Sequence, residues 1–306
     1  MTYSIVARDA DTGELGVAVQ TCNFAVGSVV PWARAGVGAV ATQAMGDPAY
    51  GPRGLDAMAR GEDANAALAA AIAADEGAAL RQVGMIDASG RAAAFTGDLC
   101  IKYAGHHVGD GYAVHANMMA SPDVWPAMAA AYESARGPFA ERLLATLVAA
   151  EGAGGDARGG MSAALLVVDG DRHDREPQPV AVVDLRVDDH ERPLDELARL
   201  LHTRNAFVHF GRGTDALFSG NTDLALRELD DAQALLPGDE NIQFARAGAL
   251  IMSGRLAEAQ EITRRLVRAR PSWATIIRGF EENAMLAMPP GVDVESFLGG
   301  QPGAGA

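Results

Sequence analysis

One lysine, Lys102, serves the whole 306-residue chain, and basic residues of any kind are short: 25 Lys and Arg stand against 40 Asp and Glu, a formal charge of −15. A nucleic-acid or anionic-membrane binder needs the opposite sign, so those partner classes are excluded. Arginine, alanine and glycine are plentiful, which reads as genome composition and not as chemistry. Only two cysteines are present, Cys22 and Cys100, too few for a disulfide framework; a reducing compartment is expected, with a single bridge left open. A charged-then-apolar leader is missing, and no apolar run approaches membrane-spanning length, so a soluble cytoplasmic protein is expected. Walker A and dinucleotide fingerprints are absent. His106, His107, Asp110 and His115 cluster, but in a Gly-rich stretch without a recognised ligand spacing. Neither metal nor cofactor is expected.

What is there begins at position 2. The chain opens Met1-Thr2-Tyr3-Ser4, so removal of Met1 would leave a hydroxyl and a free α-amine on one residue. An amine of pKa about 8 can take the proton of its own Thr hydroxyl, making a self-contained nucleophile and base. Thr2 is small enough for Met aminopeptidases, but small second residues are common and most carry no such meaning. Residues 2–8 alternate as a strand, Asp9–Gly13 is turn chemistry, and Glu14–Gln20 resumes as an apolar strand. This predicts a hairpin that holds Thr2 and Ser4 on one side of a rigid element.

Further along, Val29–Ala41 is apolar and Gly-punctuated, and helical patterning follows over about 53–76. Arg81–Asp87 and Arg91–Thr96 read as a second hairpin, and Tyr112–Met118 as a short strand. Helices are predicted at about 123–135 and 139–151, strands at Ser162–Val168 and Val180–Val187, and a helix at Leu194–His202. Hairpins interleaved with helices imply an α+β fold of antiparallel sheets covered by helices. The last quarter is different. Leu217, Gly220, Ala225 and Pro237 recur 34 residues later as Ile251, Gly254, Ala259 and Pro271. That is the period and punctuation of tetratricopeptide helical hairpins, and two repeats need a further surface to pack on. The boundaries read as 1–208, 209–288 and a disordered tail over 289–306.

Several blocks carry a resemblance. Gly13–Val19, Phe24–Ala33, Gly36–Ala44, Tyr50–Leu55, Gln82-Val83-Gly84, Ala104-Gly105-His106, Gly111–Val114, Asn117-Met118, Gly155-Asp156 with Arg158-Gly159, Ser162–Val168 and Leu185–His190 fall in order across about residues 2–205. In these the chain resembles domain of unknown function 1028, a family placed in the N-terminal nucleophile (Ntn) hydrolase superfamily. The likeness implies a four-layer αββα sandwich of two antiparallel sheets, and amide-bond chemistry with Thr2 as nucleophile. The family commonly has Gln-Gly-Asn-Met where this chain reads His115-Ala116-Asn117-Met118, and Gln where Met161 stands. Proteasome-type relatives use an internal lysine near the nucleophile, and Lys102 falls in no matching context.

The candidate site is assembled on that basis. Asn117 is read as an oxyanion donor or as a turn cap. Ser4 and Ser162 are read as partners of the N-terminal amine or as satisfied strand hydroxyls. Thr42 and Gln43 end an apolar strand where side chains can face a cleft. Arg53, His106, Asp156 and Arg158 complete the substrate-binding candidates, with a structural Asp–Arg pair as the alternative for the last two. Two functions follow: an amidohydrolase acting on a small amide, ureido compound or short peptide, and a non-catalytic ligand-binding module. In either case the helical repeats are candidates for a peptide, protein or homo-oligomer contact.

Overall fold

The computed structural model describes residues 2–171, 181–283, 285, 288 and 290–298. The chain divides into two compact units, Met1–Leu200 and Leu201–Ala306.

The first unit starts with β1 (Thr2–Arg8) and β2 (Leu15–Thr21), paired antiparallel with Thr2 opposite Thr21. Asp9 makes the turn, its carboxylate accepting the N–H groups of Asp11 and Thr12 at 2.8 and 3.0 Å. Next come β3 (Pro31–Arg34), β4 (Gly38–Ala44), α1 (Tyr50–Ala59), α2 (Ala64–Ala73), β5 (Arg81–Asp87) and β6 (Ala92–Thr96). These are followed by β7 (Gly105–Gly109), β8 (Tyr112–Asn117), α3 (Val124–Ser134), α4 (Phe139–Gly152), β9 (Ser162–Val168) and β10 (Val183–Val187). One sheet has the order β10-β9-β2-β1-β8-β7 and the other β3-β4-β5-β6, every pairing antiparallel.

Strand periodicity decides what each face does. Val6, Val17 and Val19 of the larger sheet pack on Ala39, Ala41 and Ile86 of the smaller one, so the sheets are stacked. Tyr3, Ile5 and Ala18 point the other way, toward α3 and α4. Val40, Val83 and Met85 bury the far side of the smaller sheet against Leu55, Met58, Ala64 and Leu68 of α1 and α2. The result is the α–β–β–α layering that the family resemblance implies, with antiparallel sheets covered by helices as the element order suggests. Thr2 and Ser4 share the inter-sheet face with Val6, at the end of a strand with neighbours on both sides.

Several expectations change in detail. The helical run over 53–76 is two helices, with Asp63 capping the second through the Ala66 N–H at 2.9 Å. The strand β7 lies in a Gly- and His-rich stretch and was not anticipated. Residue 180, the expected start of the last strand, lies outside the described residues, as does Met1. The helix expected at Leu194–His202 is α5, which runs from Pro193 to Phe218.

The second unit carries α6 (Thr222–Leu235), α7 (Glu240–Met252), α8 (Leu256–Ala269), α9 (Trp273–Glu282) and α10 (Val294–Leu298). The 34-residue repeat is visible in its backbone. Gly220 and Gly254 both take φ of 77°, the left-handed helix stop that glycine adopts without strain. Each is followed by the same closing bond, Asn221 N–H to the Ala216 carbonyl at 2.8 Å and Arg255 N–H to the Leu250 carbonyl at 2.9 Å. Ala225 and Ala259 are fully buried at the helix crossings. The expected disordered tail also changes: α10 forms within it, with Phe297 and Leu298 buried among Ile262, Leu266 and Ile277. Residues 289 and 299–306 lie outside the described part.

Candidate active site

Three carboxamides meet at the Thr2 end of the central strand. Thr2 lies opposite Thr21 on one side and Asn117 on the other. Its carbonyl accepts from Gln43 Nε2 at 3.0 Å and from Asn117 Nδ2 at 3.3 Å. Both donors also reach Gln82 Oε1, at 2.7 Å from Gln43 and 2.9 Å from Asn117. Gln82 Nε2 in turn donates to Thr96 Oγ1 at 2.9 Å and the Ala116 carbonyl at 2.8 Å. All three side chains are buried, where an unmade hydrogen bond is costly, so each fixes the others.

Ser4 and His115 close the network. The Ser4 hydroxyl donates to Gln43 Oε1 at 2.6 Å, which spends its only proton. The 2.9 Å contact between Ser4 Oγ and His115 Nε2 then requires the ring nitrogen to donate, assigning the Nε2–H tautomer. Complete burial, with a smaller effect from His106, outweighs the opposing contact with the Ala41 backbone and brings the His115 pKa down to about 3, so the ring is neutral at physiological pH. His115 anchors the network and is not a proton shuttle in this state.

The Thr2 hydroxyl donates to Thr21 Oγ1 at 3.2 Å. Beside it opens a cavity of about 220 Å³ whose walls include Asn23, Phe24, Val26, Val29, Thr42 and Gln43. None of its lining side chains is ionisable. Three non-glycine residues take positive φ around this end: Ala25 at 54°, Ala44 at 70° and Met118 at 56°. Two of them directly follow Gln43 and Asn117. Such conformations cost energy and persist where the surroundings impose them, which here are the residues next to the carboxamides.

The sequence candidates divide on this geometry. Thr2, Ser4, Gln43 and Asn117 come together, and Thr42 lines the cavity with its hydroxyl on the Asp47 carbonyl at 3.1 Å. The hydrogen bonds decide between the alternative roles: Ser162 is the satisfied strand hydroxyl and Asp156–Arg158 the structural pair. Asn117 directs its amide hydrogens at Thr2 O and Gln82 Oε1, leaving none for an oxyanion, while its Oδ1 is buried without a partner. Ser162 accepts the Val26 N–H at 3.0 Å and donates to the Asn23 carbonyl at 2.6 Å, pinning the cavity rim. His106 bonds Thr96 Oγ1 at 2.8 Å and so reaches the carboxamides only through Gln82. Asp156 holds Arg158 and accepts the Cys22 N–H at 3.4 Å, a loop-shaping pair. Arg53 is exposed on α1, away from the cavity. Thr21, Asn23 and Gln82 were missed. The available signal for Gln82 was a carboxamide inside an otherwise apolar strand, on the model of Gln43.

Comparison with known proteins adds a family and a fold. Residues 2–197 match the family described as a family of unknown function (DUF1028). Residues 216–277 match the tetratricopeptide repeat. A solved crystal structure of a Silicibacter pomeroyi protein, itself described by the same family, is 35% identical and superposes with a TM-score of 0.59. The match covers 65% of this chain and 84% of that one. No curated protein matches the chain.

Proposed function

The chain belongs to the DUF1028 family, a family of unknown function, and we propose that this shared region is an amide hydrolase of the Ntn type whose nucleophile is Thr2. The observation that carries the reading is the immobilised Thr2: a residue whose carbonyl is held by two buried carboxamides, and whose hydroxyl borders a small uncharged cavity. A terminal residue is ordinarily frayed, and such restraint is what a positioned nucleophile requires.

After Met1 removal the α-amine of Thr2 takes the Oγ1 proton as Oγ1 attacks the amide carbonyl. The tetrahedral intermediate collapses by breaking the C–N bond, and the ammonium returns its proton to the departing nitrogen. Water, deprotonated by the same amine, then hydrolyses the ester on Thr2 and restores the hydroxyl. The unpartnered Oδ1 of Asn117 is the acceptor that orients the amine. Asn23, exposed at the cavity mouth with its Nδ2 3.5 Å from Thr21 Oγ1, is the side-chain donor for the oxyanion. An uncharged cavity of this size suits a small neutral acyl group, so a charged acyl portion would be rejected.

A second reading is a non-catalytic ligand pocket, with the helical unit holding a peptide partner. It is favoured by a groove of about 840 Å³ in that unit, lined by Phe210, Phe218, Phe244, Trp273 and Phe280. Screening small neutral amides with the wild type and Thr2→Ala separates the two. Hydrolysis that falls by about 10³-fold or more in Thr2→Ala supports the enzyme. Ligand binding without turnover, unchanged in Thr2→Ala, supports the binding module.

A further inference from the structure

On the opposite face of β2 from Thr21, one residue away, Gln20 is completely buried. Neither its Oε1 nor its Nε2 has a hydrogen-bond partner. Burying a carboxamide with both ends unsatisfied is expensive, and a hydrophobic residue of equal size would avoid the cost. Gln20 forms the floor of a cavity of about 210 Å³, whose walls include Glu151, Gly160, Glu191, Arg192 and the first turn of α5. Gly160 is part of the construction: a Cβ there would lie 2.1 Å from Gln20 Nε2.

The charges around the cavity are uneven. Arg192 is paired with Asp195, so its charge is already answered. Glu151 accepts the Tyr3 hydroxyl at 2.7 Å, and Glu191 is exposed at the wall. Burial, with the neighbouring Glu151 and Asp156 charges, raises the Tyr3 pKa, so its phenol stays a neutral donor to Glu151. The cavity therefore offers two carboxylates that no cation in it answers, plus one acceptor and one donor from Gln20. Among the described residues no cluster of His, Cys, Asp and Glu has the arrangement of a metal site.

We propose that this cavity binds a small organic cation in which a primary ammonium stands beside a neutral oxygen acceptor, as in an amino-acid amide or an amino alcohol. The ammonium is received by Gln20 Oε1 with Glu151 and Glu191, and the ligand oxygen by Gln20 Nε2. The site is separate from the Thr2 cavity, and the inference does not depend on any activity there.

Calorimetric titration of the full-length protein with glycinamide tests it, with acetamide and acetate as probes lacking the charge or carrying the wrong one. Saturable glycinamide binding is expected, with at least tenfold weaker acetamide and acetate. Gln20→Met, nearly the same size, should abolish binding while holding or raising the melting temperature. Glu191→Gln, at an exposed position, should weaken binding about tenfold, and Thr2→Ala should leave it unchanged. Glycinamide that fails to bind, or binds Gln20→Met as well as wild type, overturns the proposal. So does a large drop in the melting temperature of Gln20→Met, which would mean that ordered water satisfies a structural Gln20.

Discussion

Gln82 holds two other carboxamides and touches neither Thr2 nor the cavity, so it acts on the site through its partners. Gln82→Leu would strand the amide hydrogens of Gln43 and Asn117 that now reach Oε1. Chemical denaturation should show a loss of about 2–4 kcal/mol, since each stranded buried donor costs roughly 1–3 kcal/mol. The hydrogen bonds to the Thr2 carbonyl should loosen with it, so any turnover should fall by more than the folded fraction alone explains. This residue marks the limit of reading the site in sequence. Thr2 was found by its place after Met1, Ser4 by sharing its strand face, Asn117 as a side-chain amide beside a turn, and Gln43 as a polar residue ending an apolar strand. Gln82 is a carboxamide near a strand end too, but its partners stand 39 and 35 residues away: pairing of β4 with β5 brings Gln43 beside it, and sheet stacking brings Asn117. Asn117 and Ser162 each carried two readings for the same reason: residue type shows that a donor is present, and only geometry shows where its hydrogens go, which for Ser162 is the satisfied strand hydroxyl.

At the scale of elements, β5 and β8 pack so closely that a glycine is required between them. A Cβ on Gly84 would sit 2.5 Å from His115 Cε1 and 2.8 Å from its Nδ1. Gly84→Ala should therefore push the imidazole off Ser4 and lower stability by about 1–3 kcal/mol, measured by thermal or denaturant unfolding. The helix stops give a contrasting case. Gly220 and Gly254 have open space where a Cβ would go, so only the left-handed backbone is penalised. Gly220→Ala and Gly254→Ala should each cost roughly 1–2 kcal/mol in unfolding of the helical unit. Equal costs at the two sites would express the repeat energetically. The strands and the helical repeat were legible because alternation and the 34-residue spacing are local signals. By contrast, β7 was invisible: Gly105–Gly109 is half-exposed and glycine-rich, and it is a strand because β8 offers it an edge. The short α10 was hidden likewise, since a Gly- and Pro-rich segment gives no helix period, and its order comes from burying Phe297 and Leu298.

For the whole molecule, the buried histidine ties stability to pH. His115 is neutral when folded, with a pKa near 3, but takes up a proton near 6.5 when the chain unfolds. Its contribution is therefore intact above pH 6.5 and is lost as the pH falls toward 3, at up to about 1.4 kcal/mol per pH unit. His106, also lowered by burial and by His107, acts in the same direction. Asp9 and Asp87 are held below the usual carboxylate range despite burial, by their hydrogen bonds and nearby arginines, and weaken the fold only at lower pH. Urea unfolding between pH 5 and 6.5 should thus show a histidine-driven slope that His115→Gln reduces by about one proton. The central claim is that Thr2 is the nucleophile, and it needs both groups of that residue free. The direct measurement is the intact mass of the purified protein before and after treatment with a peptide epoxyketone, which forms a ring with the hydroxyl and amine of an N-terminal threonine. The account predicts a chain lacking Met1 and a single adduct at Thr2 that Thr2→Ala does not form. A retained Met1, or an adduct that persists in Thr2→Ala, would contradict it.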